Sequence, residues 1–483
     1  MAAKVLFLAL LLAAPQEPRD EAPSAAQVPN RTDSPAAVAP IAVDWIHAND
    51  FSMIGLQPGI HKYHVLCGFR RGFSYLESRG VTSKYLSDGP LVLEQLTPHK
   101  LLFINLVSAE REPFLVSEIR AICAYVEQGG SLFIITDHSN CYFHAYRLKP
   151  LLATLGIRTS TSTACDVPPH TLGEGNAWIS VTRFREHPVT AGLRCLGMQT
   201  GGCVDPRYAV ALTSDQSWAD DWSAGIYGDG NGPGFLGDFV RGPDESPGPL
   251  GVVLARTLGK GRVVIVADQN VFADDFINYA DNYRLWLNVM AWLLRDDSLR
   301  QTDPYEQWKS PRIYLFESYE RAAFARHGED GFYHALSLIN RYYCAFAGDQ
   351  PLPNADLLVF ARNDDDLSAA QLATAVDVLR RGSNLLVLSG ESDALQNQRG
   401  IVARLLRTLA VDAPAAQRLE HATRLDLPSG GKIFLVHDAF VPNGKFLPPP
   451  AEMPDETGRA HNEIFLNTLQ RALPPAAATS VQP

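Results

Sequence analysis

Two segments far apart in this chain align without a gap. SLFIITDHSN (131–140) and NLLVLSGESD (384–393) are each preceded by a helical pattern closing on glycine, Gly129 and Gly382. Upstream, KLLFINLV (100–107) matches DLLVFARN (356–363), and downstream GRVVIVADQNVF (261–272) matches GKIFLVHDAFVP (431–442). A repeat of this length means one supersecondary plan used twice. Within each copy, short continuous apolar runs alternate with helical patterns, as in LLFINLV followed by SEIRAICAYVEQGG (117–130), with Ile119, Ile122, Cys123 and Val126 on one face. Such runs are strands buried on both sides, so the sheets are mostly parallel with helices on both faces.

The fold class that follows is α/β, with two tandem doubly wound parallel-sheet domains. We place them at 42–298 and 309–473, joined near DDSLRQTDPYEQWKS. The first carries an insertion, about 157–250, rich in Gly, Pro and Trp. Its stretch DQSWADDWSAGIYGDGNGPGF (215–235) offers Trp218, Trp222, Tyr227 and Phe235 either as a sugar-binding lip or as anchors pinning a long loop. A chain of 483 residues has room for two such cores.

The N-terminus reads MAAKVLFLALLLAAPQEP, a lysine followed by a ten-residue apolar run too short to span a bilayer. Residues 1–26 read as a signal peptide with an uncertain cleavage point, an uncleaved anchor being the alternative. Residues 27–41 read as a disordered Pro/Ala-rich linker and 474–483 as a disordered tail. The expected location is therefore exported, periplasmic or extracellular, with no transmembrane span after cleavage. The formal net charge of −11 and the lack of a basic stripe argue against nucleic acid as a partner. Seven cysteines in an exported chain admit disulfides, with Cys195–Cys203 and Cys141–Cys165 the readiest pairs. No CxxC occurs.

The unit VEQGGSLFIITDH, the segment HPVTAGL (187–193) and GKGRVVIVADQNVF followed by DNYRLWLNVMAWL resemble the class I glutamine amidotransferase-like superfamily, whose sheet is flavodoxin-like. More narrowly they look like an exported bacterial branch similar to domains of gliding-motility-type transporter auxiliary proteins. The resemblance covers most of 60–298 and, more faintly, 311–473. It implies two tandem flavodoxin-like, amidotransferase-like domains, the second degenerate. It also implies where an amidotransferase would keep its catalytic residues: a cysteine on the turn after the strand SLFIIT, and a histidine and glutamate after the last strand. Here the turn carries Asp137 and His138, Cys141 lies beyond it, and the last strand is followed by Asp268-Gln269-Asn270. The absence of that triad argues against glutamine hydrolysis.

Ligands of doubly wound sheets bind beyond the carboxyl ends of the strands. Family geometry puts Asp137, His138, Asn140, Asn105, Asp268, Gln269 and Asn270 around one such crevice in the first domain. Ser108 and Glu110 share its rim, and Asp274 and Asp275 lie near its other end. These types suit hydrogen bonding to a small polar or carbohydrate ligand. The leading expectation is non-catalytic binding of such a ligand, or of a cell-envelope protein partner. The alternatives are a hydrolase using Asp137, His138 and Asp268, and a structural subunit of an envelope transport or polysaccharide system. No cofactor is implied, although Asp137, His138, His144, Asp166, His170 and Asp268 are suitable ligands for a divalent metal. Cys141 with His138 or His144 could form a thiol nucleophile only if the thiol were exposed with a lowered pKa. Against all of these stands the plain reading that Asp137 or Ser139 caps a helix.

Overall fold

The computed structural model describes residues 38–48, 68–172, 176–221, 237–304 and 311–474, apart from 320, 327, 351–353, 365, 397–399, 413 and 448–455. The signal-peptide and most of the linker assignments, the aromatic residues 222, 227 and 235, and all but the first residue of the tail lie outside the described residues.

The first large sheet is built from β1 (Ile41–Asp44), β2 (Ser83–Leu86), β3 (Leu101–Asn105), β4 (Ser131–Ile135), β5 (Arg183–Phe184), β6 (Ala209–Leu212), β7 (Gly251–Leu258) and β8 (Gly261–Val266). Its order is β2-β1-β3-β4-β8-β7-β6-β5. The first five positions are parallel, and β7 turns the sheet antiparallel. The second sheet uses β9 (Ile313–Phe316), β10 (Ala345–Gly348), β11 (Leu357–Phe360), β12 (Asn384–Val387), β13 (Ala415–Arg418), β14 (Ala422–Asp426) and β15 (Lys432–Val436). Its order is β10-β9-β11-β12-β15-β14-β13, again five parallel positions and then an antiparallel hairpin. Both begin with the 2-1-3-4 order of flavodoxin-like sheets. The registers agree as well: Leu132 faces Val263 in one sheet and Leu385 faces Ile433 in the other. The duplication read from the sequence is thus a duplication of topology.

The apolar runs form strands because both faces are covered. Every residue of β3 and of β4 is buried. Beneath them lie α1 (Arg70–Glu77) and α4 (Asn282–Leu294): Trp286 stacks on Phe69, which precedes α1, meets Phe73, Phe103 and Phe272 edge-on, and is tilted against Phe133. Such aromatic contacts add to the burial of large apolar area. On the other face α2 (Val116–Gln128) ends at Gly129, whose φ of 122° only glycine adopts without strain. The helix α3 (His144–Thr154) follows a single 3₁₀ turn, Cys141–Phe143.

The insertion is more than a loop. Its strands β5 and β6 widen the main sheet, while Ser162–Cys165 pairs with Trp218–Asp221 and Trp178–Val181 with Leu196–Gln199. Trp218 is core, only 3% exposed, so it cannot serve as a sugar-binding lip.

The two domains are stitched together. The segment 278–280 lies beside the edge strand β10: Ala347 N–H donates to Asn278 O at 3.0 Å and Ala280 N–H to Ala347 O at 2.8 Å. That covers an otherwise open edge. Arg71, buried, reaches helix α5 (Tyr333–Tyr342) and the residue after it, donating to the Asn340 side chain and carbonyl and to Tyr343 O. Asp274 accepts from Arg71 N–H at 2.7 Å, and Asp275 from the Tyr333 hydroxyl at 2.9 Å. The expectation that Asp274 and Asp275 border the crevice is therefore corrected: Asp274 caps the start of α1 through the Arg70 and Arg71 N–H groups, and Asp275 bonds across the domain interface. Among the described residues no helix is long and apolar enough to cross a membrane.

Candidate functional site

The carboxyl end of β4 leads straight into a strained turn. Ser139, Tyr142 and Phe143 all have positive φ, as do Leu106 just past β3 and Thr200 in the loop that covers both strand ends. Non-glycine residues in that region cost free energy and concentrate where a fold must aim side chains.

This turn brings Asp137 to Asp268, which follows β8, the strand next to β4. Asp268 is fully buried and accepts backbone N–H bonds from Gln199 and Asn270, each at 2.7 Å. Asp137 is 9% exposed and accepts the His138 N–H at 2.8 Å. Burial, and then the neighbouring Asp268, push the Asp137 carboxyl well above the usual range. Burial lifts Asp268 to about 7 against the opposing pull of its backbone donors. Burial and like charge both disfavour ionisation of this pair of carboxyls.

The histidines play separate parts. His138 stands at the solvent edge; its Nδ1 lies 2.8 Å from the Ser139 hydroxyl and its Nε2 4.0 Å from Asp137 Oδ1. Burial and nearby His144 push it down to about 3, so it is neutral. His144 is pinned. Its Nδ1–H donates to Cys141 O at 2.9 Å and its Nε2 accepts the Asp137 N–H at 3.2 Å. It holds the turn rather than reacting. Burial pushes the Cys141 thiol well above its ordinary value, with Asp137 and Asp268 adding to the effect. A thiol raised this way is a poor nucleophile, so the thiol-catalysis alternative lacks its requirement.

Four amide side chains at these strand ends are buried with polar atoms that have no hydrogen-bond partner among the described residues. They are both polar atoms of Asn105, Asn140 Nδ2, both polar atoms of Gln199, and Gln269 Oε1. Asn105 closes β3 beside Ile135 of β4, Asn140 lies on the Asp137 turn, and Gln269 follows Asp268. Gln199 binds Asp268 through its backbone. Asn270, by contrast, is used internally, its side chain donating to Gln199 O at 3.1 Å. Buried amides are normally satisfied, so this group at the strand ends is unusual.

The loop Thr200-Gly201-Gly202 closes over this pair. A Cβ at Gly202 would sit 2.4 Å from Asp137 O, which only glycine tolerates. Beside the loop a cavity of about 10 Å³, lined by Thr136, His144, Ser160 and Cys203 among others, has room for about one water. Sequence reasoning passed over Gln199; the adjoining TGG, a backbone built for close approach, was the signal that could have found it.

Other expectations move. Asp166 is buried but spends its oxygens on Val167 N–H and on the Ser214 N–H and hydroxyl. His170 lines a separate open cavity of about 590 Å³ with Ser180, Arg183 and Asp215. Neither joins the Asp137 cluster. The expected disulfides do not form, since Cys141, Cys165, Cys195 and Cys203 are free thiols. Cys195 and Cys203 flank the extended strand Leu196–Gln199, and a chain rising about 3.3 Å per residue carries them apart beyond bridging distance. Cys165 faces Asp220 instead, at 3.8 Å.

A second buried polar cluster closes β1. Asp44 binds His47 Nδ1 at 2.8 Å, and Glu118 lies 3.5 Å from Nε2. Burial acts to lower the His47 pKa, but the two carboxylates together raise it. The sequence contains no repeat of these residues in the second domain that would have drawn attention to them.

Fold and site together define a tandem flavodoxin-like α/β protein without the amidotransferase triad. No family model matches the chain, and no curated protein does. Solved structures similar to it include the mmIFT52 N-terminal domain, 14% identical over 53% of this chain and 98% of that one, with a TM-score of 0.38. A ThuA-like protein from Bacteroides uniformis is 15% identical over 57% of this chain and all of that one, with a TM-score of 0.29. A β-galactosidase from Bacillus circulans is 13% identical over 56% of this chain and 32% of that one, with a TM-score of 0.29. Likeness at this level carries no argument about activity, and the fold rests on the sheet orders.

Proposed function

We propose that the first domain binds a small polar, hydroxyl- or amide-bearing ligand at the ends of β3, β4 and β8, and that the protein is a non-amidotransferase member of the amidotransferase-like superfamily. The observation that carries this is the set of unsatisfied buried amides, Asn105, Asn140, Gln199 and Gln269, around Asp137 and Asp268. Amides offer both donors and acceptors, and a protonated carboxyl adjoining an ionised one does the same, which matches the dual character of a hydroxyl. Export, a place at the cell envelope and the transporter-associated branch belong to the same proposal and rest on the N-terminal sequence and on 261–294.

The test is thermal stabilisation of the purified chain by a panel of monosaccharides, polyols and primary amides. At least one should raise the melting temperature in a saturable way, as a ligand binding only the folded state must. That shift should vanish in Asn105→Leu and Asp137→Asn. No shift with any compound, or one unchanged in both variants, would overturn the proposal. A hydrolytic reading gains ground only if the panel is turned over and Asp137→Asn abolishes turnover while the fold persists.

A further inference from the structure

We propose that Asp137, His138 and Cys141 form a binding site for a borderline divalent cation, zinc by the chemistry of the donor set. The inference rests on the reading of these strand ends as the ligand site and names a cation held beside it. One carboxylate oxygen, one imidazole nitrogen and one sulfur lie within 4.8 Å of one another. Mixed O, N and S donors select zinc over magnesium or calcium, which take oxygen alone.

Three features of the turn fit that role. The positive φ of Ser139 folds the chain back so that residues one and five of the run DHSNC, Asp137 and Cys141, face together. Ser139, fully buried, holds His138 Nδ1 through its hydroxyl at 2.8 Å, leaving Nε2 on the Asp137 side, 4.0 Å from its oxygen. Metal-binding histidines are commonly oriented by such a partner on the far nitrogen. His144, fixed by its own two bonds, braces the backbone at both Cys141 and Asp137. The independent observation is the neighbouring group of unsatisfied buried amides, which places the polar ligand beside the cation rather than in an apolar core. Three protein donors leave a coordination position for an oxygen of that ligand or for water. On binding, the Cys141 thiol and the Asp137 carboxyl release their protons to solvent, and the thiolate sulfur and carboxylate oxygen bond the cation. The second domain supplies a built-in negative control, since Gly390, Glu391 and Asp393–Ala394 occupy the matching positions and no cysteine is present there.

The experiment is titration of the metal-free full chain with Co²⁺, reading the near-ultraviolet thiolate-to-cobalt absorption, then displacement by Zn²⁺. One equivalent should bind with that band and be displaced by zinc. Cys141→Ser should lose the band, and Ser139→Ala, which removes only the orienting hydroxyl, should weaken binding about 10–100-fold. Circular dichroism of each variant identifies loss of fold, in which case Ser139→Ala decides alone. No band in the wild-type chain, the same band in Cys141→Ser, or unchanged affinity in folded Ser139→Ala would overturn the site. If the metal fails to bind but a polyol or sugar still stabilises the chain, the metal proposal falls and the ligand site stands. Metal binding without any ligand shift has the opposite meaning.

Discussion

The two domains end their central strands in opposite ways. In the first, Asp268 is buried and paired with Asp137, and the amides around them are unsatisfied. In the second, the matching Asp438 is exposed, and the groups beside it are bonded to one another. Ser392 donates to Asp438, Thr423 donates to Glu391 at 2.6 Å, and His437 lies 3.3 Å from Thr423 and 3.5 Å from Glu391. Gly390 replaces Asp137, and Ala361 replaces Asn105. The same backbone plan therefore supports a closed, self-sufficient polar network in one copy and an open one in the other.

Four experiments press on that difference. The largest effect is expected from Asp268→Ala, which strands the buried N–H groups of Gln199 and Asn270 and should cost about 3 kcal/mol. Asp438→Ala, at an exposed position, should cost less than about 1 kcal/mol. Urea unfolding monitored by fluorescence compares them, and equal losses would erase the contrast.

Next comes pH. A carboxyl whose folded pKa is raised stabilises the fold most below its unfolded value, 3.8, and that contribution disappears as pH rises through about 7. The melting temperature should therefore fall between about pH 4 and 7, the range these values bracket, and the double variant Asp137→Asn with Asp268→Asn should flatten the slope. A slope that survives the double variant would place the titrating groups elsewhere.

A smaller effect separates satisfied from unsatisfied groups. Thr423→Val, which breaks the bond to Glu391, should cost about 1 kcal/mol. Asn105→Leu removes an amide that bonds nothing among the described residues, so the ligand-free protein should be as stable as wild type or more so. A loss in Asn105→Leu equal to that in Thr423→Val would mean that Asn105 is structurally bonded. The smallest effect is chemical. Iodoacetamide should label Cys141 in the native chain far more slowly than free cysteine at neutral pH, checked by peptide mass spectrometry, because burial raises the thiol. Rapid labelling would restore the nucleophile reading.

Much of the fold was legible because two-faced burial leaves a coarse mark. Continuous runs such as LLFINLV and SLFIIT can only be interior strands of a covered sheet, and the glycine-ended helix before each made the repeat visible. The site was legible in part, through the strand-end carboxylates. What the sequence could not display was pairing across long separations. Nothing local says that Gln199 would reach Asp268, that Arg71 would bond Asp274, or that Tyr333 would bond Asp275 across the domain interface. The cysteine pairs failed for a related reason: short spacing suggested a bridge, but an extended strand lies between Cys195 and Cys203. Of the two readings the sequence left for Trp218, lip or anchor, the anchor fits: the residue is buried on the strand Trp218–Asp221.

The most direct measurement is a high-resolution crystal structure of the purified chain grown with the most stabilising polar compound. The expected result is density bridging Asp137 and at least two of Asn105, Asn140, Gln199 and Gln269, with none at Glu391 and Asp438 in the second domain. Amides satisfied by one another around a closed, dry strand end would contradict the proposed function.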